Sequence, residues 1–140
     1  MNLENNRQIE KLDTWIVDAL IQRLEETPSA ITYSDLAKKI EKNVGCDPLN
    51  PHFFFGHPLR RIQNVCFELG LPCLPVMVVK AEKMKPGIGF VSAYRELHPE
   101  QENITDDDIA KAEWQKVRTF TGWQVLLDYY GINRTFTGPR

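Results

Sequence analysis

No run of about 18 consecutive apolar residues occurs in the chain, so no segment has the length and apolarity of a membrane-spanning helix. The start, MNLENNRQIEKLD, lacks the apolar centre of a secretory signal. Both absences predict a cytoplasmic protein with no membrane partner. Cysteine is scarce: Cys46, Cys66 and Cys73 are an odd set of three, which predicts free thiols rather than a disulfide framework. Neither a C-x-x-C nor an H-x-x-x-H pair is present, so Cys46, Cys66, Cys73, His52, His57 and His98 lack the close ligand spacing of a zinc site. No metal or other cofactor is expected. The chain also lacks a P-loop, a G-x-S-x-G elbow and an H-E-x-x-H helix. Gly87 and Gly89 in KPGIGF form too short a pattern for a nucleotide fingerprint.

Strong net charge is missing too, the formal balance being −2 over 140 residues, which lacks the basic signature usual for nucleic-acid binders. The charges are nevertheless segregated. Residues 31–95 hold nine Lys/Arg against five Asp/Glu, a local +4, while each flank is −3. An apolar content of 42% is enough for one globular domain with a real core, spanning 1–140.

What is present centres on Gly56 to Phe90. Pro58 suits the first turn of a helix, Leu59, Ile62, Cys66 and Leu69 recur at helical spacing, and Gly70 supplies a left-handed stop. That stripe predicts core positions. The other face carries Arg60, Arg61, Gln63 and Asn64, side chains suited to phosphates or base edges. Val76 to Val79 reads as a buried strand, and KAEKMKPGIG as a basic return whose Lys80, Lys83 and Lys85 suit phosphates. Helix, strand and basic hairpin in that order predict a mostly helical α+β, winged-helix-like domain. Its core covers about 31–95, with flanking helices at 7–26 and 106–131.

The first flank presents Ile9, Leu12, Trp15, Ile16, Ala19, Leu20 and Leu24 on one helical face. The next helix begins with Thr32 as N-cap, Asp35 three residues on and Ile31 placed to staple onto Leu36. The linker VGCDPLNPHFFFGHP reads as a long loop. Phe53, Phe54 and Phe55 within it are candidates to stack on an exposed base, or to plug the core beneath the loop. Thr105 caps a helix with Asp106, Asp107 and Asp108 in its first turn and Ile109, Ala112, Trp114 and Val117 partly buried. The tail NRTFTGPR reads as polar and loose.

ITYSDLAKKI, GHPLRRIQNVC and LPCLPVMVVKAEKMKPGIGF together resemble the DNA-binding half of alkylguanine transferases and alkyltransferase-like proteins, over roughly residues 31–90. The resemblance implies a DNA-reading architecture with Arg60 or Arg61 as counterpart of the recognition-helix arginine. Val76 and Met77 stand after Pro75 where that family has its nucleophile and base, so it does not imply alkyl transfer. The segments ITY-x-x-LA, G-x-PL-x-x-I-x-x-x-C, GLP-x-L, V-x-VV and PG-x-GF also resemble a set of small uncharacterised bacterial and phage proteins. Three functional expectations result. The first is a non-enzymatic DNA-binding protein, and the second an anti-defence protein of anti-CRISPR or anti-restriction type that binds a host immune protein. The third is an enzyme with an unrecognised site. Oligomeric state is open.

Overall fold

The computed structural model of the protein describes residues 10–138. It is a mostly helical α+β fold with one small parallel sheet. Helix α1 spans Lys11–Glu26 and buries Ile16, Val17, Ala19, Leu20, Ile21 and Leu24. Ile9, expected on the same stripe, lies outside the described residues. Strand β1 (Ile31–Thr32) leads into α2 (Tyr33–Val44), where the Thr32 hydroxyl accepts the Asp35 N–H at 3.1 Å. Such a cap stabilises a helix by roughly 0.5–2 kcal/mol relative to alanine.

The linker is not wholly a loop. Pro51–Phe54 forms a single turn, α3, because Pro51 needs no N–H there and the Asn50 side chain accepts the His52 N–H at 3.1 Å. Helix α4, Gly56–Glu68, then runs through the middle of the molecule, packed against α1 on one side. Leu59, Ile62 and Cys66 are buried as the stripe predicts. Gly70 ends the helix at φ +71°, letting the Leu71 N–H reach the Cys66 carbonyl at 2.8 Å. Leu69 corrects the expectation of a core position: it sits past the last helical residue, where the chain is already turning, and is exposed.

Pro75 explains a second correction. The segment Leu74–Met77 coils as a 3₁₀ turn, and only Val78–Val79 is strand (β2), pairing parallel with β1 in the register Ile31↔Val78 and Thr32↔Val79. The basic return is a tight turn closed by one antiparallel bridge, the Lys80 N–H donating to the Lys85 carbonyl at 2.9 Å. Helix α5, Ile88–Leu97, follows and was not foreseen. It buries Phe90, Ala93 and Tyr94 and packs along α4.

A 3₁₀ turn at Pro99–Gln101 precedes α6, Asp106–Thr119, capped by Thr105 at 3.2 Å, and α7, Gln124–Tyr129. On α6 Ile109 and Val117 are buried and Trp114 half-buried, while Ala112 is exposed and Glu113 turns inward. The Glu113 carboxylate accepts the Cys73 N–H at 3.3 Å and the Lys116 ammonium at 3.0 Å, fixing α6 to the turn before β2. The described part of the tail, to residue 138, is tied down rather than loose. Arg134 pairs with Asp18 and Glu25 of α1 at 2.8 Å each, and the Thr137 N–H donates to Glu25 at 2.8 Å.

All three cysteines are free thiols. Burial pushes the Cys66 thiol up to about 12 and the Cys73 thiol well above its usual range, whereas Cys46 is half-exposed. A thiol titration at neutral pH should therefore show one fast-reacting group, and three after denaturation. Three equally fast thiols in the native protein would contradict the burial of Cys66 and Cys73.

Candidate functional site

The Thr32 cap starts α2 at Tyr33 and the Asn50 cap starts α3 just before His52 and Phe53. These two helix starts, the first turns of α4 and the start of α5 surround a cleft of about 380 Å³. Tyr33, His52, Phe53, Arg60 and Phe90 stand around it. A second hollow of about 380 Å³ continues the cleft toward the basic turn, sharing Tyr33, His52, Gly56 and Gly89 and adding Lys80, Glu82 and Ile88. The two form one groove from Arg60 to the Lys80–Lys85 turn.

Burial pushes the Tyr33 phenol above its usual pKa, opposed in part by a hydrogen bond from the Gly87 backbone, so the hydroxyl stays neutral in the groove wall. Gly87 is closely approached there: a Cβ would lie 3.1 Å from the Tyr33 hydroxyl, which would have to give by a few tenths of an ångström. Gly56 and Gly89 have no such close neighbour. Both are helical with negative φ, and a Cβ on either would meet nothing within 4 Å. Two such residues on one groove leave its backbone bare where a partner would approach closely.

The expected binding residues are divided by their partners. Lys80, Lys83 and Lys85 do converge, around one hollow beside Ile88. Lys85 is paired with Asp107 at 3.0 Å, but Lys80 and Lys83 have no ion-pair partner among the described residues. Arg60 reaches the groove while paired with Glu96 of α5. Arg61 is not among the residues that line the groove. It lies around the helix from the groove and makes a bidentate pair with Asp13 of α1, Nε to Oδ2 at 2.8 Å and Nη2 to Oδ1 at 2.9 Å. Gln63 is 2% exposed and donates to the Phe90 carbonyl at 3.0 Å, so it forms the floor of the cleft rather than an outer reading face. Asn64 is exposed and does not border the groove.

The three phenylalanines separate equally sharply. Phe55 is fully buried and cannot stack on a base. Phe54 is partly exposed, and Phe53 stands 79% exposed at the groove edge, with an edge-on ring contact to Phe54 at 5.1 Å. Tyr33 and Gly56 do not stand out as groove residues in the sequence, where the one signal is that Tyr33 directly follows the Thr32 cap. No three His, Cys, Asp or Glu side chains are grouped to hold a metal among the described residues. His52 and His57 have no hydrogen-bonded carboxylate or nucleophile among those residues. No family model, curated protein or solved structure matches the chain.

Proposed function

We propose that this is a non-enzymatic DNA-binding protein that holds nucleic acid along the groove from Arg60 to the Lys80–Lys85 turn. The observation that carries the reading is an aromatic cleft, its backbone bare at Gly56 and Gly89, whose wall includes the unpaired Lys80 and which adjoins the hollow of the unpaired Lys83. Lys80 and Lys83 supply phosphate contacts, the exposed face of Phe53 offers a stacking platform, and the glycines admit a sugar-phosphate chain to close range. The resemblance to the DNA-binding half of alkyltransferases supports the reading through Arg60, which is the one of its two candidate recognition-helix arginines that borders the groove. Val76 and Met77, in the places of that family's nucleophile and base, are buried apolar side chains, which fits binding without alkyl transfer.

The free cations are few, so the affinity is modest and its salt dependence shallow. Two phosphate contacts give a slope of log K against log salt of about −2, and affinity falls roughly tenfold between 50 and 200 mM salt. Anisotropy titrations of a labelled duplex should give that slope, and the double change Lys80→Ala with Lys83→Ala should flatten it nearly to zero. Binding no tighter than millimolar at 50 mM salt, or a slope untouched by the double change, would end the DNA reading and leave a protein partner as the alternative.

A further inference from the structure

Ile88 is the most solvent-exposed large apolar side chain among the described residues, at 84%. It is not on a loose segment. It opens α5, which is anchored two residues later by Phe90 and then by Ala93 and Tyr94, all buried. Gly87 and Gly89 flank it, and the backbone at Gly89 is bare, so the branched side chain projects beside open backbone on one side. The Lys80 stem lies across Gly87, its Cε 3.6 Å from where a Cβ there would stand. Ile88 also borders the hollow that holds Lys80, Lys83 and Lys85. The acids nearest that hollow, Asp106 and Asp107, are taken up by Arg95 at 2.7 Å and Lys85 at 3.0 Å. Glu82 on the same turn is the one opposing charge without an ion-pair partner there among the described residues.

From this we infer that Ile88 is a wedge that enters a DNA duplex between adjacent base pairs while Lys80 and Lys83 hold the phosphates beside the opened step. An apolar knob set among cations fits a polyanion with an apolar interior. It needs a partner that presents phosphates and a stacked, separable apolar surface within one residue's reach. Insertion of an aliphatic side chain from the minor groove unstacks a step and kinks the duplex by roughly 20–90°. Bare backbone at Gly89 lets the sugar on that side close on the knob, while the Lys80 stem covers Gly87 on the other.

This rests on the DNA-binding reading above, and the test separates the two. A duplex carrying 2-aminopurine at a central step, with donor and acceptor dyes on its ends, reports unstacking and bending together. The wild-type chain should raise 2-aminopurine emission severalfold and shorten the end-to-end distance. Ile88→Ala should keep the salt slope and the melting temperature, because the side chain is exposed, yet lose both signals. Ile88→Met should retain most of them. Lys83→Ala should lower the salt slope while leaving the saturated complex bent. A wild-type complex that binds without unstacking, or an Ile88→Ala complex bent as strongly as wild type, overturns the wedge and leaves DNA binding intact. Absence of binding overturns both. Sedimentation showing self-association that Ile88→Ala abolishes would overturn the wedge in favour of a contact between two copies of the chain.

Discussion

Replacement of Phe55 by alanine should destabilise the protein by about 3–5 kcal/mol, measured by chemical denaturation. The ring is fully buried at the joint between α3 and α4, where the Leu59 N–H donates to the Phe55 carbonyl at 3.0 Å. Its removal leaves a void beneath both helix starts that form the groove, and the backbone there cannot collapse without moving His52 and Gly56. Phe53→Ala, two residues earlier, should stay within about 0.5 kcal/mol of wild type because the ring is in solvent. In DNA titrations the order reverses. Phe53→Ala should weaken binding by roughly 1–3 kcal/mol if a base stacks on it. A neutral Phe55→Ala would mean that the linker is not seated in the core.

The parts of the fold that were legible in the sequence are those written locally. Thr32 with Asp35, Thr105 with Asp108, the Leu59, Ile62 and Cys66 stripe and the stop at Gly70 each lie within one or two helical turns, and each is present in the structure. Helix α5 was hidden because Gly87 and Gly89 read as turn residues. Its periodic signal, Phe90, Ala93, Tyr94 and Leu97, only emerges after them. The two-residue strands pair across 47 positions, from Ile31 to Val78, and no local pattern encodes that partnership.

The site shows the same limit in its charges. The local +4 was a correct count of residues, but its usefulness depended on partners far away in sequence. Asp13 takes Arg61, Glu96 takes Arg60 and Asp107 takes Lys85, which leaves Lys80 and Lys83 as the unpaired cations of the groove among the described residues. A helical wheel places Arg60 and Arg61 together on a polar face. Only the position of α1 against α4 decides that one of them borders the groove and the other serves the fold.

Arg61→Ala should accordingly cost stability and spare binding. Asp13 is nearly fully buried, its side chain 5% exposed, while the guanidinium that neutralises it is 47% exposed. The pair holds the Arg61 guanidinium even more firmly protonated than usual, chiefly through the hydrogen bonds to Asp13. Taking away the cation leaves a carboxylate inside the protein with no countercharge. Breaking a fully buried pair costs about 3–5 kcal/mol, and water reaching the vacated Arg61 position reduces that to about 2–3. Removing the other partner is less costly, because in Asp13→Ala the arginine simply turns into solvent; about 1 kcal/mol is expected. Adding Asp13→Asn to Arg61→Ala should recover most of the loss by removing the buried charge. Denaturation midpoints of the three variants and their DNA titrations test this together. Equal losses for Arg61→Ala and Asp13→Ala would show that the carboxylate is solvated, and a drop in DNA affinity for Arg61→Ala beyond twofold would return Arg61 to the binding face.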